Sequence, residues 1–190
     1  MSSRRIGRVL LALASTVTML GATLSTPSAA SADVTINATV CYNTSQAGQY
    51  AGIANQAASI WNNYTNNVNM SQCGSNLRIY QITGGGSYAI RTSLGNGRVY
   101  IDTQQAAQYS PLRIMTHEIG HILGLPDNYN GNCALLMSGG SAGTSCTNPY
   151  PSSAEAARVD SLFGGRSAAN ADSATHVFQG SWPSLVGAAN

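Results

Sequence analysis

Apolar and polar residues alternate strictly through Val34, Ile36, Ala38, Val40 and Tyr42, the period-two signature of a half-buried strand. From Tyr50 to Tyr64 the step changes. Ile53, Ala57, Ile60, Trp61 and Tyr64 fall three or four apart, and that spacing predicts a helix. Strand character returns at Leu77–Ile82 and again at Arg98–Ile101. Between them, the glycine-led run from Gly84 to Arg91 reads as an edge strand, where a peptide can pair as an added strand beside Tyr88 and Ile90. Ser110-Pro111 then opens a second helix, with serine at the N-cap and proline at the first helical position, and Gly124 stops it. Ser152-x-x-Glu155 is a capping box that opens a last helix through Phe163, ended by Gly164. Residues 165–190 have no periodicity and read as a flexible C-terminal tail. Strands and helices mixed in this way predict an α+β fold, with no internal repeat or domain linker.

The opening of the chain belongs to export. Arg4, Arg5 and Arg8 form a basic region, Val9 to Leu24 a mostly apolar one, and Ala30-Ser31-Ala32 an A-x-A cleavage site. A membrane anchor is the rival reading, but the apolar run is short, carries Ser and Thr, and lacks a stop-transfer flank. Residues 1–32 are therefore expected to be a signal peptide and 33–164 one catalytic domain, secreted from the cell. The net charge of +2 includes the three leader arginines. Without them six Arg face seven acidic residues, and there is no lysine, so nothing suggests nucleic acid or a charged membrane surface as a partner. All four cysteines, Cys41, Cys73, Cys133 and Cys146, lie in the exported part, where disulfides form. Three pairings are possible, of which the sequence-local one, Cys41–Cys73 and Cys133–Cys146, is preferred. A zinc-thiolate cluster has no C-x₂-C spacing to support it.

The chemistry concentrates in His117-Glu-Ile-Gly-His-Ile-Leu-Gly-Leu-Pro-Asp127, which reads HExxHxxGxxD. Histidines at i and i+4 lie one above the other on a helix face and can reach one Zn²⁺. Glu118 points beside that face, where it can take a proton from a metal-activated water. Gly124 lets the chain double back, so that Asp127 arrives as a third ligand. Three protein ligands with one open position describe a catalytic zinc site. A bare HExxH arises by chance, and isolated histidines are usually structural. Here two of the chain's three histidines fall within five positions, with Gly124 and Asp127 at set offsets. Glu155 is an alternative third ligand, although its capping-box position already explains it. His176, in the tail, reads as a solvated residue.

The stretch from His117 to Asp127, with Tyr129, Cys133, the run Leu136-Met-Ser-Gly-Gly140 and Cys146-Thr-Asn-x-Tyr-Pro151, resembles the snapalysins. These are small secreted bacterial zinc endopeptidases related to the metzincins, and the similarity runs from about Val34 to Phe163. It implies a zincin-like or metzincin-like single domain, with a small mixed sheet, an active-site helix, a Met-turn and a C-terminal helix. It also implies His117, His121 and Asp127 as zinc ligands, Glu118 as general base, Met137 as the Met-turn floor, and Tyr129 as a hydrogen-bond donor to the tetrahedral intermediate. Cys133 and Cys146 match the family's single disulfide, leaving Cys41 and Cys73 as an additional pair. An aromatic residue just after the scissile bond is the expected preference, with protein or peptide substrates and a monomeric enzyme.

The chain departs from the family at two places. The family's Asp-x-Thr pair before the zinc helix, associated with calcium, is replaced by Ser110-Pro111-Leu112, so calcium is not expected there. The first strand also begins almost at the cleavage site, which leaves no room for a pro-segment. Two other function classes stay open on sequence: a secreted zinc-binding protein without catalysis, and a zinc hydrolase of non-peptide substrates. The intact Glu118 argues against the first, since a pure binder has no need of that base.

Overall fold

The alternating pattern at the start of the exported part continues as β1 (Ala38–Gln46), which centres half of a mixed sheet. The computed structural model describes residues 38–164, 174–179 and 182–183. The signal-peptide reading, Val34 and Ile36 lie outside these residues. A 3-10 turn (Gly48–Tyr50) leads into α1 (Ala51–Tyr64), followed by β2 (Val68–Ser71), β3 (Leu77–Ile82), β4 (Tyr88–Ser93) and β5 (Asn96–Asp102). A short α2 (Thr103–Ala106) precedes α3 (Pro111–Ile122), then come a 3-10 stretch (Leu136–Ala142), α4 (Ser153–Gly164) and β6 (His176–Phe178). Among the described residues the strands order as β2-β1-β3-β5-β4-β6. The β1–β2, β1–β3 and β3–β5 pairs are parallel, and β4 runs antiparallel to both β5 and β6.

One face of the sheet carries the core. Val40, Leu77, Ile79, Ala89, Val99 and Ile101 are buried beneath the helices. From α1 come Ala54, Ala57 and Trp61; from α3 come Ile114, Met115, Ile119 and Ile122. Each fully buried Ile or Leu contributes about 1.5–3 kcal/mol of transfer free energy. The indole of Trp61 donates to the Thr116 carbonyl at 3.0 Å, which locks α1 against the middle of α3. On the other face Tyr80, Tyr100 and Tyr88 stack across three neighbouring strands, with ring centroids 4.9 and 4.4 Å apart.

Two disulfides restrain the loops. Cys41–Cys73 ties β1 to the turn after β2, and Cys133–Cys146 closes the segment before α4, with Cα separations of 4.9 and 5.6 Å. The local pairing is thus the one present.

The structure differs from the sequence reading in two places that matter for the site. The glycine-led run is not a strand from its start, because Gly84, Gly85 and Gly86 all have left-handed φ (81°, 89° and 82°). The Asp102 carboxylate accepts the N–H groups of Gly84 and Gly86, both at 2.9 Å, and so fixes that turn. β4 is also not an edge. Its free side pairs with β6, with Ala89, Ile90 and Arg91 opposite Phe178, Val177 and His176. These residues belong to the segment read as a flexible tail. Where described, that segment forms a strand, and Trp182 beyond it is buried.

Candidate active site

α3 is built to present two histidines. Ser110 caps it, accepting the Arg113 N–H at 3.4 Å, and Pro111 starts its first turn. Gly120, between the histidines, lies so close to its neighbours that a Cβ there would sit 2.9 Å from Met137 Sδ and 3.2 Å from Trp61. A larger residue there would require the Met137 or Trp61 side chain to give way. At the far end Gly124 adopts φ +102°, with Leu125 N–H returning to the Gly120 carbonyl at 3.0 Å. This is the left-handed stop that turns the chain toward Asp127.

The result is a triangle of donor atoms. His117 Nε2 and His121 Nε2 are 3.1 Å apart, and each lies 3.3 Å from Asp127 Oδ1. Ligands held at about 2.0–2.1 Å from a tetrahedral ion are about 3.3–3.4 Å from one another, so the triangle fits a single small cation. The second ring nitrogens reinforce this fit. His117 Nδ1 is 3.0 Å from the Leu136 carbonyl and His121 Nδ1 is 2.9 Å from that of Leu125. A carbonyl only accepts, so both Nδ1 atoms carry protons and both Nε2 lone pairs turn inward toward a carboxylate. Three electron-rich atoms converging in a buried site call for a cation. Without a metal, the charges respond to one another. Burial alone would raise the Asp127 pKa, but hydrogen bonds from His117 and His121, made where a proton takes the metal's place at Nε2, outweigh it and hold the carboxyl well below the ordinary range. Burial likewise pulls His117 down, yet Asp127, Glu118 and the Leu136 carbonyl together raise it.

Glu118 has a carboxylate oxygen within 4.8 Å of the histidine nitrogens, so it is a second carboxylate candidate for the metal. The closer and symmetric placement of Asp127 favours Asp127. Glu118 is completely buried, which is the chief reason its pKa is raised. Its Oε1 accepts from the Trp182 indole at 2.8 Å, while Oε2 has no hydrogen-bond partner among the described residues. An unpaired buried carboxylate oxygen beside the donor triangle suits a group that receives a proton there.

The floor is held from two sides. Met137 is buried beneath Gly120, and its carbonyl accepts the Asn128 N–H at 2.8 Å, one residue beyond Asp127. Glu155, the rival third ligand, turns away from the triangle and accepts the N–H groups of Leu136 (3.1 Å), Met137 (2.8 Å) and Ser152 (2.7 Å). Arg113, which the sequence reading passed over, reaches from α3 to Ser138 Oγ and the Leu135 carbonyl, both at 2.9 Å. Its only sequence signal is its place one turn before His117. Tyr129 stands on the loop after Asp127 and is 51% exposed. His176 lies in β6, its ring centroid 6.0 Å from that of Phe178.

The described segment after α4 crosses this site, which sequence reasoning missed entirely. Phe178 stacks on His121 with centroids 4.1 Å apart, and Trp182 meets His117 edge-on at 5.3 Å.

An HExxH helix, a reversing glycine and a carboxylate facing both histidines, set against a mixed sheet, make up a zincin-like candidate metal centre. The chain matches the model of the Streptomyces extracellular neutral proteinase (M7) family over residues 37–165, and it belongs to that family. It is 44% identical to the extracellular small neutral protease of Streptomyces caespitosus over 128 residues, 66% of this chain and 96% of that one. To the protein of the same name from Streptomyces lividans it is 41% identical over 140 residues, 72% of this chain. That match spans 60% of the relative's length. A third such protein, from Streptomyces sp. strain C5, is 41% identical over 149 residues, 77% of this chain and 65% of the relative.

Proposed function

We propose that this protein is a secreted zinc-dependent endopeptidase. One observation carries the reading: the Nε2–Nε2–Oδ1 triangle stands beside an unpaired, buried Glu118 oxygen. Family membership and the names of the relatives support it and point to protein or peptide substrates outside the cell. His117, His121 and Asp127 are the ligands, and a donor set of two nitrogens and one oxygen suits zinc. When bound, zinc supplies the positive charge that acidifies a water and polarises the scissile carbonyl. Glu118 receives the proton of the attacking water at Oε2 and passes it to the departing amine. Tyr129, on the loop that follows Asp127, donates to the oxyanion. Leu125 and Leu136 hold the imidazole tautomers through their carbonyls, and Met137 keeps the floor dry.

An aromatic residue just after the scissile bond is the preferred substrate feature. The packing of Phe178 and Trp182 rings on His121 and His117 supports this, because it marks surfaces beside the ligands that accept flat apolar groups.

The test is casein cleavage by the secreted protein, zinc-loaded and then treated with 1,10-phenanthroline, beside the Glu118→Gln variant. Loss of activity in both controls, with fragments beginning at aromatic residues, is the expected result. Bound zinc without cleavage of casein or peptides would instead support a binding protein or a hydrolase of non-peptide substrates.

A further inference from the structure

The residues that must meet substrate are covered by the chain itself. His117, Glu118 and His121 each have no exposed surface. The cover comes from two described pieces, Ala174–Gln179 and Trp182–Pro183. β6 occupies the free side of β4 in antiparallel register, taking the backbone N–H and C=O groups with which an incoming peptide would pair. Phe178 fills the surface over His121, and Arg91, whose guanidinium lies 5.2 Å from the Phe178 ring centroid, donates to the His121 carbonyl at 2.8 Å. Trp182 then places its indole N–H on Glu118 Oε1.

The cover is anchored by polar contacts made for a peptide backbone. Gln105 Nε2 donates to the Trp182 carbonyl, and its Oε1 accepts the Ser87 N–H at 2.5 Å. Tyr109 Oη donates to the Pro183 carbonyl at 3.0 Å, and its ring meets Trp182 edge-on at 5.4 Å. Strand pairing, two aromatic rings beside the histidines, and side-chain donors on main-chain carbonyls together are the way an extended peptide is recognised.

We infer that Ala174–Gln179 and Trp182–Pro183 are intramolecular occupants of the peptide-binding cleft, which keep the site closed until they are displaced or cut away. The inference rests on the peptidase reading above. Covalent attachment gives such a segment an effective concentration of about the millimolar level. A peptide whose own Kd is about 0.1 mM then fills the cleft about nine-tenths of the time, and free substrate binding is suppressed about tenfold.

The experiment uses the full chain in two forms. One carries Phe178→Ala and Trp182→Ala. The other keeps every native residue and has the recognition sequence of a specific protease inserted after Gly165, so that the segment is severed in the already folded protein. Two quantities are read in each form. The first is the affinity, by fluorescence anisotropy in a Glu118→Gln background, for a labelled decapeptide with the sequence of residues 174–183. The second is the turnover of a peptide substrate with Glu118 intact. Both should rise about tenfold over the uncut parent, turnover of the severed form being read at nanomolar concentration, where a segment of that affinity dissociates, and decapeptide affinity after the severed segment has been removed by gel filtration. Affinity and turnover unchanged or lower in the severed protein would overturn the inference. The severed form also decides the matter if the double variant fails to fold. A rise in decapeptide affinity with no turnover in any form would uphold the occupied cleft while defeating the peptidase reading.

Discussion

Glu155 Oε1 accepts the backbone N–H of Met137 at 2.8 Å, which couples the first turn of α4 to the floor of the metal site. The same carboxylate accepts from Leu136 and Ser152, and Ser152 Oγ accepts the Glu155 N–H at 3.3 Å. One side chain thus closes a capping box and fixes a loop. Hydrogen bonds to a charged group contribute about 1.5–3 kcal/mol each, less where water reaches the pair. Glu155→Ala should therefore lower stability by about 2–4 kcal/mol, while Glu155→Gln, which keeps one acceptor, should lose about half of that. Urea unfolding of the two variants at fixed zinc concentration measures the difference. Equal stability of Glu155→Ala and the parent would show that the loop holds itself.

The helix caps and the metal motif were legible in the sequence because each is a local event. Ser110-Pro111 and Ser152-x-x-Glu155 need only their own next few residues, and His117 and His121 share a face wherever a helix forms. What escaped was decided by partners distant in sequence. β2 is four residues long, too short for Val68 and Met70 to establish a period. Arg113 has no local signal of its role, because the 135–139 loop whose oxygens its guanidinium meets is brought there only by the fold. β6 has three residues and exists through its pairing with β4. The β-prone pair Val177-Phe178, followed by Trp182, was the available signal, but it was faint within a stretch rich in Ala, Ser and Gly.

Asp127 is separable from Glu118 by metal binding alone. If Asp127 is the third ligand, Asp127→Ala should weaken zinc binding by more than about a hundredfold, beyond the roughly 10–100-fold that outer-shell changes produce. Glu118→Gln should keep affinity close to the parent's. Competition titrations against a chromogenic chelator read both. Similar losses in the two variants would mean that both carboxylates ligate.

Gly120 tests how tightly α3 sits on its floor. Alanine at an ordinary helical position gains about 0.8–1.0 kcal/mol over glycine in propensity. Here the added methyl meets Met137 Sδ at 2.9 Å and Trp61 at 3.2 Å. The thioether can shift, but the Trp61 ring is fully buried and held by its bond to Thr116. Overpacking costs about 1–3 kcal/mol and should win, giving Gly120→Ala a net loss of about 1–2 kcal/mol. A higher midpoint in thermal unfolding of the zinc-loaded protein would reverse this ranking.

The charges of the site predict opposite pH responses for the zinc-loaded and chelated protein. In the chelated protein His117 is raised above its ordinary 6.5, burial being outweighed by its carboxylate and carbonyl neighbours. Glu118 is raised above 4.5, chiefly by burial. A raised folded-state pKa means that the native state binds the proton more tightly than the unfolded chain. Its contribution is complete below the unfolded value and lost as pH climbs through the folded one. Both groups therefore make the chelated protein more stable as pH falls from above their shifted values toward 4.5. Asp127 acts in the other direction. Its depressed pKa stabilises the fold above 3.8, and that contribution disappears as the solution is acidified further. Stability of the chelated protein should thus rise from neutral pH to between about 4 and 5, then fall. Zinc needs the histidines free of protons at Nε2, so the loaded protein should lose stability over the same descent as protons displace the ion. Thermal unfolding with saturating zinc and with chelator, scanned from pH 8 to 3, should give curves that converge on the acid side. Parallel curves would place the proton-sensitive groups outside the metal site.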